Sequence, residues 1–208
     1  MVNKIPQVSI IITNYNYGKY LSRCLRSCLS QKYIDCEVIV VDDVSSDDSD
    51  KIIKPFLNDI VYIKNKKNLG VAGSSNVGVE NCRGRYFVRV DADDYIQSDM
   101  CYMMNYYLEE NSNLFGVACD YWMVDNYEEK IERKSSKIDN ISCGIMYQKE
   151  LFMELGGYDE TMRHREEENL RKRLGGKYTL GHLEIPFYRY RMHNNNKTKE
   201  PEYKTWEI

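Results

Sequence analysis

A chain of 208 residues, 42% hydrophobic and 29% charged, has the make-up of one soluble globular domain with a sizeable core. A net charge of −3 argues against a duplex nucleic-acid binder, which usually shows a basic stripe, and no apolar run approaches the roughly 18 residues of a membrane span. Seven cysteines, an odd count without a Cys-x-x-Cys pair, point to reduced, buried thiols of a cytosolic protein rather than to zinc or a disulfide framework.

Met1 to Gln7 leads into an apolar run without the charged-then-apolar opening of a secretory signal. The triplets at Asn140-Ile-Ser142 and Asn196-Lys-Thr198 therefore read as chance. The run VSIIIT (8–13) predicts a buried strand, closed by the turn NYNYGK. Leu21, Leu25, Cys28 and Leu29 fall at helical spacing, so 19–31 reads as an amphipathic helix. CEVIVVDD (36–43) is a second buried strand that ends in two acids, and SSDDSDKIIKPFL supplies Ser and Asp caps for a short helix. DIVYIKN (59–65) is a third strand. A helix begins inside the glycine-bearing stretch 68–84, and RYFVRVDADD (85–94) is a fourth strand. Strand and helix alternating in this way predict an α/β domain with a mostly parallel sheet, whose ligands bind beyond the carboxyl ends of the strands. Further on, Tyr102, Asn105 and Tyr106 share helical spacing that packing explains, and 163–174 reads as helical from about Glu166, with Glu167 and Arg171 placed for an i, i+4 ion pair.

The parallel-sheet rule gathers the polar residues. Thr13-Asn14-Tyr15 follows the first strand, Asp42-Asp43 the second, and Asp91, Asp93 and Asp94 the fourth, so all converge on one edge. Singly, an acid at a strand end is a cap or a turn. Clustered carboxylates are hard oxygen ligands suited to Mg²⁺, Mn²⁺ or Ca²⁺, and Mg²⁺ is commonly shared between carboxylates and substrate phosphates. An Asp-x-Asp at a strand end thus suggests a cation bridging the protein to a diphosphate and neutralising it as it departs. An EF-hand counted from Asp43 fails, because its sixth and twelfth positions hold Asp48 and Lys54. GVAGSSNVG is neither a Walker loop nor a strand-following dinucleotide fingerprint. An aspartyl phosphatase or a receiver domain would place its acids after the first strand; phosphoryl transfer through an aspartyl nucleophile stays as the weaker alternative.

The stretches VSIIITNYNYGKYLSRCLRSCLSQ, EVIVVDDVSSDDS, NLGVAGSSNVGVENCRGRYFVRVDADD, GGYDE, EEENLRKRL and YRYRMHNNNKT, in that order, resemble family 2 inverting glycosyltransferases of GT-A fold. The resemblance implies one Rossmann-like domain over 1–208, with a nucleotide-sugar-binding half at about 1–98 and an acceptor-binding half at about 99–208. It implies that Thr13 and Tyr15 line the uracil pocket, Tyr15 by stacking, and that Asp43 accepts the uracil N3–H with Asp42 beside it. Asn68 and Gly70 begin the loop near the nucleotide. Asp91, Asp93 and Asp94 serve the ribose and the metal–diphosphate, with Asp93, then Asp94, as metal ligands and His193 as a third contact. Glu167 takes the place of the general base in a Glu-Asp-x-x-Leu-x-x-Arg pattern, with Glu166 and Glu168 as rivals. The segment 143–160 resembles the acceptor-cleft wall, with Gly156 and Gly157 bending the chain after a helix. Where the pattern carries Ala-Arg-Asn, this chain has Ser74-Ser75-Asn76, which removes an arginine from the neighbourhood of the diphosphate. The implied activity is Mn²⁺- or Mg²⁺-dependent transfer of a sugar from a UDP-sugar to a hydroxyl of a glycan or lipid-linked acceptor. The implied setting is cytoplasmic, with peripheral attachment to the inner face of the cell membrane left open. The alternative of another class is a nucleotide-sugar-binding protein of the same fold without catalysis.

Overall fold

The computed structural model describes residues 5–194 and residue 196; the start of the N-terminal stretch and the end of the 187–198 motif lie outside them. Chain order is β1 (Val8–Asn14), α1 (Gly18–Leu29), β2 (Cys36–Asp42), α2 (Ser49–Ile53), β3 (Val61–Lys64), α3 (Gly70–Glu80), β4 (Tyr86–Asp91) and β5 (Tyr95–Ile96). It continues with α4 (Met100–Glu110), β6 (Gly116–Val124), β7 (Lys130–Lys134), β8 (Ile145–Gln148), α5 (Lys149–Glu154), α6 (Glu166–Leu174) and β9 (Leu180–Arg191).

The strands form one sheet in the order β3-β2-β1-β4-β8-β6-β9-β5, with β7 on β6. The parallel pattern expected from the sequence holds from β1 to β4. Beyond β4 the sheet is mixed: β8 runs antiparallel to both β4 and β6, β9 runs parallel to β6, and β5 runs antiparallel to β9.

The apolar runs of β1, β2 and β4 are buried on both faces, which is why they do not alternate with polar residues. Ile10 and Ile12 join Leu21 and Leu25 of α1 in one core, while Ile11 joins Ile39, Val41, Phe87, Val79 and Leu170 in the other. Burying each such side chain stabilises the fold by about 1.5–3 kcal/mol. On the second face α3 lies close against β1: a Cβ on Gly78 would stand 2.5 Å from Ile11 Cγ2. That close approach sets the start of α3 at the carboxyl ends of the strands. The bend expected after a helix is present, since Gly156 and Gly157 follow α5 at φ values of 86° and 70°. The seven cysteines are free thiols. Among the described residues no helix is long and apolar enough to cross a membrane.

Candidate active site

The tips of β1, β2 and β4, the start of α3 and the start of α6 enclose one cleft. Its lining includes Thr13, Tyr15, Asp43, Gly70, Arg89, Asp91, Asp93 and Glu166. Tyr15 is 43% exposed and lines the cleft. Asn14 between these residues turns inward and donates from Nδ2 to Asp42 Oδ2 at 2.8 Å and to Ser49 Oγ at 2.9 Å.

The two acids after β2 separate by the alternation of the strand. Asp43 lines the cleft and also caps α3. Its Oδ1 accepts the Leu69 N–H at 2.8 Å and Asn65 Nδ2 at 2.8 Å, and its Oδ2 accepts the Gly70 N–H at 2.9 Å. These N–H groups at the start of α3 have no partner within the helix, so a carboxylate there is favoured. Asp42 does not line the cleft: it is wholly buried, and besides Asn14 it accepts the Ser45 N–H at 2.9 Å. It anchors the turn instead of meeting a nucleotide. Asn68 likewise donates to the Asp43 carbonyl at 3.3 Å and shapes the loop behind Gly70. Gly70 has φ +74°, a left-handed conformation that glycine adopts without strain, and the Arg163 guanidinium would stand 3.3 Å from a Cβ there.

The three aspartates after β4 also part company. Asp91 and Asp93 face the cleft. Asp94 faces the protein, where its carboxylate accepts the Tyr188 hydroxyl at 2.7 Å and the Arg191 N–H at 2.7 Å. Burial, then the charges of Asp93 and Asp91, push the Asp94 carboxyl well above the usual carboxylate range. Burial also raises Asp91, against the pull of Arg89, whose Nε lies 3.3 Å from Asp91 Oδ1. His193 Nε2 lies 2.8 Å from Asp93 Oδ2, and its ring stacks on Tyr20 at 4.8 Å.

These positions test whether a divalent cation fits. Ligand atoms of Asp91, Asp94 and Cys143 lie within 4.8 Å of one another. Burial, then Asp91 and Asp94, hold the Cys143 thiol well above its ordinary value, and a protonated thiol does not suit Mg²⁺ or Mn²⁺. The better fit is Asp91 with Asp93. Both line the cleft with hard oxygens, and Asp91 Oδ1, though 3.3 Å from Arg89 Nε, makes no hydrogen bond. Of the metal set expected from the sequence, Asp93 keeps its place in the cleft, Asp94 is held by Tyr188 and Arg191, His193 meets the site through Asp93, and Asp91 joins.

A similar exchange occurs on α6. Glu166 lines the cleft, with its Oε1 2.7 Å from Arg89 Nη1. Glu167, the expected base, points into the core under α6. Its Oε2 accepts the Tyr147 hydroxyl at 2.6 Å and its Oε1 accepts Arg171 Nε at 3.0 Å. Burial pushes the Glu167 carboxyl up to about 7, although Arg171 and Tyr147 pull it down. Successive helical residues point about 100° apart, so only one of two adjacent acids can face the cleft. Arg89 and Arg163 also line the cleft and were absent from the sequence-derived site. Arg89 did carry a signal: it stands two residues before Asp91, hence on the same face of β4, in an otherwise apolar run.

The model of the family "Glycosyl transferase family 2" matches residues 9–174. The chain is 33% identical to the chondroitin synthase of Escherichia coli over 141 residues, which covers 67% of this chain and 20% of that protein. It is 38% identical to the hyaluronan synthase of Pasteurella multocida over 100 residues, 47% of this chain and 10% of that one. It thus spans about a fifth or less of the length of these two relatives. Among solved structures, S. aureus TarS 1–349 in complex with UDP-GlcNAc superposes with a TM-score of 0.79 at 18% identity, over 97% of this chain and 62% of that one. The mannosyltransferase PcManGT of Pyrobaculum calidifontis, in complex with GDP-Man and Mn²⁺, gives 0.75 at 16%, over 93% and 59%. These superpositions show a shared fold. The family match covers most of the chain, and the chain belongs to glycosyl transferase family 2.

Proposed function

We propose that this family 2 chain transfers a sugar, with inversion, from a UDP-sugar to a hydroxyl of a glycan or lipid-linked acceptor. The observation that carries the reading is the convergence of three kinds of group on one cleft. An exposed aromatic ring and a carboxylate, Tyr15 and Asp43, two hard carboxylates, Asp91 and Asp93, and the acid Glu166 all line it. In this reading uracil stacks on Tyr15 and gives its N3–H to Asp43. The Arg163 guanidinium beside Gly70 adds positive charge to the cleft for the diphosphate. Asp91 and Asp93 would hold Mn²⁺ or Mg²⁺, which would supply positive charge to offset that of the diphosphate. Glu166 keeps Oε1 on Arg89 and offers Oε2 to the acceptor hydroxyl as proton acceptor, while that oxygen attacks the anomeric carbon from the side opposite the nucleotide. The Mn²⁺ in PcManGT and the UDP-GlcNAc in TarS support the class of donor and cation.

Titration calorimetry with UDP tests the donor side. Affinity with Mn²⁺ should exceed that in EDTA by about tenfold or more, roughly 1.4 kcal/mol, because two carboxylates otherwise face a bare diphosphate. Equal affinity in both would remove the cation from the site. Incubation with UDP-sugars and an acceptor panel, read by NMR, should give a product of inverted anomeric configuration. Donor binding without transfer or donor hydrolysis would leave a nucleotide-sugar-binding protein instead.

A further inference from the structure

We infer that Arg89 is a positioning residue that sets where Glu166 stands in the cleft. The inference takes the cleft acid from the transferase reading and adds the group that holds it. Arg89 is 2% exposed and sits on the cleft floor. One guanidinium spans two elements: Nη1 donates to Glu166 Oε1 on α6 at 2.7 Å, and Nε lies 3.3 Å from Asp91 Oδ1 on β4. Its carbon also lies 5.6 Å from the centre of the Tyr158 ring. A planar, forked cation held this way acts as a strut between two carboxylates, which a point charge on a flexible stem does not reproduce.

Glu166 has need of such a strut. It is the first residue of α6, directly after Arg165, which turns the chain at φ 59°, and no side chain caps this helix start. Its carboxylate accepts Arg89 Nη1 from the sheet. The arginine is also in an exchangeable place. Ser75 of α3 is buried, its hydroxyl donates to the Val71 carbonyl at 2.6 Å, and Arg89 Nη1 lies only 3.5 Å from its Oγ. Position 75 is where the resembled pattern carries an arginine. A side chain rooted at position 75 therefore starts beside the Arg89 guanidinium. Arg89 thus supplies from the strand the cation that α3 lacks.

Relocation of the cation tests this. Arg89→Met should lower kcat by about a hundredfold while the UDP-sugar KM moves no more than about threefold. The double variant Ser75→Arg with Arg89→Met should recover at least about tenfold of that loss. Arg89→Met combined with Glu166→Gln should be no worse than about threefold below the poorer single variant, because Arg89 acts through Glu166. Arg89→Lys keeps a buried charge opposite Glu166 and so guards against a variant that fails to fold; it should lose about tenfold in kcat. Wild-type kcat in Arg89→Lys, losses that multiply in the Glu166 double variant, or a folded Ser75→Arg, Arg89→Met protein without recovery would each overturn the inference. Crystal structures of Arg89→Met and the relocated variant give a readout free of catalysis. The Glu166 carboxylate should leave the cleft wall in the first and return in the second. If the wild type transfers no sugar, the transferase reading fails while this positional result still decides the role of Arg89.

Discussion

The half of the molecule from β1 to β4 and the half from β5 to β9 contribute to the same cleft by different physical means. In the first half, backbone topology places the groups. Apolar parallel strands end at a common edge, α3 lies tight on β1, and Asp43 caps that helix. In the second half, buried charges place them. Arg191 reaches the Asp93 carbonyl and Asp94, Tyr188 reaches Asp94, and Glu166 is met by Arg89. Apolar packing is non-directional and tolerates substitution of similar volume, whereas a buried ion pair that loses one partner leaves a charge uncompensated. The second half is therefore where single polar changes should have the larger effects.

The largest expected effect separates the neighbouring acids of α6. A general base contributes about 10² to 10⁴ in rate, roughly 3 to 5 kcal/mol of barrier. Glu166→Gln should therefore lower turnover by at least about a hundredfold with UDP affinity nearly unchanged, as read by steady-state kinetics and calorimetry. Glu168→Gln, which removes an ion pair with Arg165 on the partly exposed helix surface, should leave turnover close to wild type. Loss of activity in Glu168→Gln with activity kept in Glu166→Gln would move the base by half a turn of α6 and break the comparison.

The next effect concerns the latch between the halves. Asp94→Ala leaves the Tyr188 hydroxyl and the Arg191 N–H buried without an acceptor, at about 1–3 kcal/mol for each group. Urea unfolding should show a loss of about 2–6 kcal/mol. Asp94→Asn keeps the shape and one acceptor oxygen, leaves one of the two donors unmet and should cost about half as much, with Mn²⁺–UDP affinity retained. Asp93→Asn, by contrast, should weaken Mn²⁺–UDP and leave uridine binding as it was. If Asp94→Asn loses the cation as well, the carboxylate turns out of its latch when the nucleotide binds.

The same contrast explains what the sequence made legible. In β1–β4 the order of apolar runs fixes the strands, and a residue's distance from the strand end fixes its place, so Thr13, Tyr15, Asp43, Asp91 and Asp93 could be set around one edge from letters alone. The alternation that sends Asp43 to the cleft sends Asp42 inward, but the end of β2 had to be known to one residue for that. The second half gave less. The strands β6 and β9 are parallel neighbours separated by some sixty residues of chain and interrupted by irregular pairing, and no local pattern announces that. The contact of Arg89 with Glu166 spans 77 positions and exists only because α6 folds back over β4. Nor could spacing choose between Glu166 and Glu167, since adjacent helical residues differ only by the roll of the helix on the sheet.

The smallest effect turns on pH, and it asks whether Glu167 is a stability group instead of a chemical one. Its carboxyl is 2% exposed and burial lifts it from 4.5 to about 7. The unfolded chain releases this proton near 4.5 and the folded chain near 7, so between these values folding takes up a proton. The contribution to stability is full below pH 4.5, is lost as pH rises through 7, and is level above that. From pH 5.5 to pH 8 the wild type should lose about 2 kcal/mol from this group alone. Glu167→Gln keeps the side-chain size, cannot titrate and can still meet Tyr147. The stability difference between variant and wild type, measured by urea unfolding, should therefore move in favour of the variant by about 2 kcal/mol over that interval. Turnover should stay within about threefold of wild type, because Oε1 and Oε2 already serve Arg171 and Tyr147 under the helix. A pH-independent difference would mean that Arg171 keeps Glu167 charged in the folded chain, and a collapse of turnover would return the base to position 167.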